Sequence, residues 1–100
     1  MRGDAFISLH FLIDVKGAMV VLTSRYSDRF VDVRHLTPPM ILMTLSRAIR
    51  QIDCGQILAA CATDTDTRRE IPAWCETIGA RLIETTERHG LLTFYIQRVS

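Results

Sequence analysis

Neither sign of charge dominates this chain of 100 residues. Its 12 basic residues stand against 11 acidic ones, leaving a formal net charge of +1. A protein that grips nucleic acid through bulk electrostatics is far more basic. Direct nucleic-acid binding is therefore not expected. Paired cysteine spacing is missing too. Cys54, Cys61 and Cys75 make an odd count with no framework pattern, so they read as reduced thiols of a cytoplasmic protein. The histidines His10, His35 and His89 are scattered, and no C-x-x-C, H-x-x-x-H or H-E-x-x-H spacing occurs. No metal or cofactor is expected. The apolar run from Ala5 to Ile13 falls well short of the ~20 residues that span a bilayer. It is also a poor signal peptide. Asp4 sits in the n-region, His10 interrupts the h-region, and no A-x-A-like cleavage site follows. No membrane association is expected. Internal repeats and low-complexity segments are absent.

What the chain does have is apolar content. Hydrophobic residues make up 48%, enough for a globular core, and the length suits one domain. Two regions differ in character, an N-terminal extension over residues 1–28 and a domain over residues 29–100. The extension reads FISLHFLI, then DVKG, then AMVVL. Two apolar runs around a glycine-containing turn fit a hairpin. Met19 precedes the second run, so a natural start at Met19 is an alternative reading.

From Phe30 the periodicity is cleaner. Phe30-Val31-Asp32-Val33 alternates like a half-buried strand, with Val31 and Val33 on one face. Thr37-Pro38-Pro39 then fits a helix start, where proline's missing N–H has no partner to lose. Ile41, Leu42, Leu45, Ala48, Ile49 and Ile52 form one apolar stripe at helical period, with Arg47 and Arg50 on the polar side. Asp53-Cys54-Gly55 is the expected stop, with Gly55 free to take positive φ. Ile57 to Ala62 is uninterruptedly apolar, as in a central strand buried on both faces. Thr67-Arg68-Arg69-Glu70 fits a capping box. Pro72 is awkward inside that helix, so a regular helix from Ile71 is the alternative. Ile71, Trp74, Cys75 and Ile78 share one side, and Gly79 ends the helix. Arg81 to Thr86 and Leu91 to Arg98 read as a hairpin turning at Glu87-Arg88-His89-Gly90. The expected fold is an α/β (α+β) two-layer sandwich, β-α-β-α-β-β. It has a four-stranded mixed sheet and two helices on one face. That leaves the second sheet face open. The N-terminal segment covering it, the same segment adding a strand, and a second subunit (a homodimer) are the options.

Three blocks carry a family resemblance. Val31-Asp32-Val33-Arg34-His35-Leu36-Thr37-Pro38-Pro39-Met40-Ile41 is similar to the pattern L-D-x-x-G-L-x-C-P-x-P. Cys54-Gly55-Gln56-Ile57-Leu58 resembles a P-G-E-x-L turn. Thr67 to Glu76 is similar to T-x-R-D-I-P-x-[FW]-C. Together they resemble the TusA/SirA family of sulfur carriers. The resemblance implies the same β-α-β-α-β-β fold. It also implies a persulfide passed from a cysteine desulfurase toward an acceptor, as in tRNA thiolation. The departures fall on the motif. The family's reactive cysteine is Pro38 here, its first proline is kept as Pro39, its second is Ile41, and its glycine is His35. A thiol at a helix N-terminus is favoured as thiolate, the form that attacks sulfur donors. Pro38 has no nucleophile, so the chain is sulfurtransferase-like without the family nucleophile. The Thr37 hydroxyl is a poor sulfur acceptor and reads as the N-cap.

Another thiol would have to substitute. Cys75 and Cys61 read as packing residues. Cys54 sits in a turn between Asp53 and Gly55, where partial exposure is expected, and is the weak candidate. It lies at the opposite helix end, where the dipole disfavours thiolate. Asp64 and Asp66 read as capping residues rather than a catalytic carboxylate pair, and Trp74 as core rather than a docking aromatic. His35, Arg47, Arg50, Arg68 and Arg69 are candidates for docking an acidic protein partner, such as a desulfurase or a sulfur-relay protein. Each also reads as ordinary solvated surface. A non-catalytic interaction protein using that surface is the alternative to a carrier.

Overall fold

The computed structural model describes residues 27–100 and, N-terminal to them, strands β1 (Phe11–Val15) and β2 (Ala18–Leu22). β1 and β2 pair antiparallel, Phe11 opposite Leu22 and Val15 opposite Ala18. They form a two-stranded sheet of their own and add no strand to the main sheet. The residues before Phe11 and the turn at Lys16-Gly17 lie outside the described residues.

Next come β3 (Arg29–Asp32), α1 (Pro38–Arg50), β4 (Ile57–Ala62), α2 (Thr67–Ile78), β5 (Arg81–Arg88) and β6 (Leu91–Gln97). The order is the expected β-α-β-α-β-β. The sheet runs β3-β4-β6-β5, with β3 parallel to β4 and the other pairs antiparallel. Alternation along β4 and β6 sends Leu58, Ala60, Ala62, Leu92, Phe94 and Ile96 to one side. There they meet Ile41, Leu45, Ala48 and Ile49 of α1 and Ile71, Trp74 and Cys75 of α2. Both helices therefore pack on one face. The Trp74 indole N–H donates to Ser46 Oγ at 3.1 Å, which ties α2 to α1.

Local reading fails at two helix boundaries, the end of α1 and the start of α2. α1 stops at Arg50 with Gln51 as C-cap, before the expected Asp53-Cys54-Gly55. Its last carbonyls are served from far along the chain, since Arg98 Nη1 donates to the carbonyls of Arg50 (3.3 Å) and Ile52 (2.5 Å). Gly55, at φ 87°, instead shapes the turn into β4. At α2 the N-cap is Asp66, and Thr67 is the first helical residue. The capping box does not form, because the buried Thr67 hydroxyl donates to the Asp64 carbonyl at 2.5 Å. The Asp64 carboxylate accepts from the Asp66 N–H at 2.9 Å in the turn before the helix, and the Asp66 side chain makes no capping bond. Pro72 lies within a helix that is already regular from Thr67. Ile78, expected on the buried side, is 41% exposed. The β5–β6 turn is tight, with His89 and Gly90 at φ 53° and 79°. Positive φ at both positions suits a two-residue hairpin loop.

Thr93 sits in central strand β6 with its hydroxyl buried and, among the described residues, without a hydrogen-bond partner. A buried unpaired hydroxyl costs about 1–3 kcal/mol, and valine has nearly its shape. Thr93→Val is therefore expected to raise unfolding free energy by about 1 kcal/mol. Urea titration checks this by a higher midpoint at unchanged slope. No helix among the described residues is long and apolar enough to cross a membrane.

Candidate functional site

Parallel strands β3 and β4 each lead into a helix, so the N-termini of α1 and α2 open at the same end of the sheet. His35, Thr37, Pro38 and Pro39 gather there at the start of α1. Arg68 and Arg69 join them in the first turn of α2. Arg47, Arg50 and Cys54 lie toward the other end of α1. Thirteen helical residues put about 20 Å between the two groups. The docking candidates thus divide between two ends of the domain.

At the α1 start, Thr37 has the extended backbone of an N-cap, with φ −77° and ψ 159°, but its side chain makes no capping bond. Its carbonyl accepts from the Ile41 N–H at 2.9 Å. Pro38 and Pro39 fill the first two helical positions and have no N–H to offer. Of the first three helical positions only Met40 can donate, so this end is a weak anion cradle. His35 beside it is exposed. Arg68 is ion-paired with Glu87, and Arg69 lies 3.8 Å from Asp66. Their charges are partly answered within the chain.

Sequence reading missed the polar link beneath this loop. Arg34 Nε and Nη2 each donate to the Asp32 carboxylate at 2.9 Å, and the Arg34 N–H donates at 3.0 Å. The Cys61 thiol donates to Asp32 Oδ1 at 3.4 Å. Asp32 and Cys61 are register partners across the β3–β4 ladder, a relation no local spacing reveals. Burial alone would raise the Asp32 carboxyl, but the bonds from Arg34 and Cys61 hold it below the usual range. Burial first, then the adjacent Asp32 charge, push the Cys61 thiol up to about 12. Burial pushes Cys75 up to about 11. Both thiols stay protonated near neutral pH and are poor nucleophiles. Cys54 is exposed in its turn.

A second missed feature is the outer face of α1. Met40 and Met43 are 43% and 49% exposed. With Arg47 and Arg50 they follow helical spacing off the apolar stripe, a signal present in the sequence. An apolar patch flanked by basic charge is suited to a protein surface.

Residues 29–98 match the family model described as "Sulfurtransferase TusA". The chain belongs to the TusA family. The putative sulfur carrier protein YrkI of Bacillus subtilis (strain 168) is 33% identical over 72 residues, which covers 72% of this chain and 96% of that protein. The sulfur carrier protein TusA of Pseudomonas putida (strain F1) is 31% identical over 77 residues, 77% of this chain and 96% of that protein. A crystal structure of a SirA-like protein from Desulfitobacterium hafniense superposes with a TM-score of 0.63. It is 15% identical and covers 72% of this chain and 99% of that one. That likeness speaks for the fold alone. The TusA match begins at Arg29, the first residue of β3, and takes in both helices and every strand of the larger sheet.

Proposed function

We propose that this TusA-family protein works in cytoplasmic sulfur trafficking by docking a cysteine desulfurase or another sulfur-relay protein. In this reading it carries no persulfide at the α1 N-terminus. The observation behind the reading is Pro38 at the first helical position, where the family resemblance places the reactive cysteine. No other thiol stands in for it. Cys61 and Cys75 are buried and protonated, and Cys54 lies past the far end of α1. The docking platform in this reading is the outer face of α1, which runs from the exposed Met40 and Met43 near that position to Arg47 and Arg50 in the last turn. An acidic-rimmed apolar patch on the partner would complement it.

The test is intact mass after incubation with a cysteine desulfurase and cysteine, for the natural chain and for Pro38→Cys. In the variant, a thiolate at position 38 attacks the terminal sulfur of the desulfurase persulfide. The S–S bond breaks and the desulfurase cysteine leaves as thiolate. We expect one added sulfur atom on Pro38→Cys and none on the natural chain. Added sulfur on the natural chain, lost in Cys54→Ser, would make the protein a carrier with a relocated thiol. No added sulfur on either chain, with no co-elution with the desulfurase, would remove the docking reading.

A further inference from the structure

On the face of the four-stranded sheet that carries no helix, the two central strands are nevertheless buried. Ala59 and Cys61 of β4 and Leu91, Thr93 and Tyr95 of β6 are each at most 3% exposed. They alternate with the residues that meet α1 and α2, so they belong to the opposite side. Their burial is achieved within a single chain. Among the described elements, only β1 and β2 are committed neither to the main sheet nor to the helices.

The hairpin has the right character for a cover. Its register sets Phe11 opposite Leu22, Ile13 opposite Val20 and Val15 opposite Ala18. Strand alternation assigns these six positions, all apolar, to one face. Leu12, Asp14, Met19 and Val21 take the other. The dimensions agree. Strands of five residues span about 17 Å, and a two-stranded ribbon has the width of the β4–β6 pair. The hairpin is also an addition of this chain. YrkI and TusA are matched over 96% of their lengths by 72 and 77 residues, which leaves no room in them for a comparable segment.

We infer that β1–β2 packs its apolar face on the helix-free face of the sheet as a built-in partner, making that face an interior rather than a docking surface. The Cys61 thiol is then sealed beneath a third layer, away from sulfur donors and oxidants, while Asp32 stays at the exposed rim of that face. Protein partners are left the helix side and the α1 end. The inference is independent of whether the chain carries sulfur.

The test uses the full chain and maps alkylation of each cysteine by peptide mass. In the natural protein Cys54 is labelled, while Cys61 and Cys75 are protected. The double variant Ile13→Asp/Val20→Asp places charge on the apolar hairpin face. It is expected to raise Cys61 labelling roughly tenfold or more while Cys75, in the helix-side core, stays protected. Leu12→Asp, on the other face, is expected to leave Cys61 protected. Cys61 labelling as fast as Cys54 in the natural chain would overturn the inference, as would a double variant with Cys61 still protected. If the double variant labels Cys75 as well, it has unfolded. The natural chain then decides by nuclear Overhauser contacts between the Tyr95 ring and methyl groups of residues 11–22. Their presence supports the cover and their absence overturns it. Protection of Cys61 that is lost on dilution, together with a dimer-to-monomer shift in light scattering, would assign the cover to a second copy instead.

Discussion

Raising the pH from 8 to 12 is expected to remove much of the protein's stability, well before backbone chemistry intervenes. The cause is the pair of buried thiols. An exposed thiol titrates near 9, whereas Cys61 in the fold is pushed up to about 12 and Cys75 to about 11. Below pH 9 both states hold these protons, and the stabilisation is fully present. Above pH 9 the unfolded chain releases them while the native state retains them, so stability falls as pH rises through the folded values. The gaps correspond to roughly 4 kcal/mol for Cys61 and roughly 3 kcal/mol for Cys75 as upper figures. Against a typical total of about 5–15 kcal/mol, that loss suffices for alkaline unfolding. Urea midpoints measured at intervals between pH 8 and 12 would show the decline. The double variant Cys61→Ala/Cys75→Ala is expected to start lower and to decline less. An equal slope for both proteins would mean that other groups drive the transition.

Phe94→Ala is expected to cost about 3–5 kcal/mol, the range for emptying a fully buried aromatic site. Phe94 has no exposed surface and lies in β6, between β4 and β5 in the sheet. Its ring faces the helix side, within the same cluster as Leu45, Ile71 and Trp74. Truncation therefore leaves a cavity between the two layers, where neither the sheet nor the helices can close it alone. Chemical denaturation should show a sharply lower midpoint with an unchanged slope. A loss under about 1 kcal/mol would mean that the core relaxes to fill the space.

How much of this was legible beforehand depends on how local each signal is. The uninterrupted apolar run Ile57–Ala62 announced a strand buried on both faces, and β4 spans those residues with both faces closed. Pro38-Pro39 announced the start of α1, since prolines there lose no hydrogen bond. The end of α1 was not legible, because its carbonyls are served by Arg98, which joins them only once β6 has docked beside β4. The capping box at Thr67 failed for a similar reason. Its hydroxyl is drawn into the buried turn and spent on Asp64 rather than left to cap.

The order of elements, the one-sided apolar stripes of α1 and α2 and the absence of a nucleophile at Pro38 were determined by the sequence alone. Each depends on residue identity and on spacing within a few turns of chain. Only the tertiary structure set Cys61 against Asp32, divided the basic candidates between two ends of the domain and buried the helix-free side of β4 and β6. Those relations arise from strand register and layer packing, which join residues distant in the chain and leave no periodic trace along it.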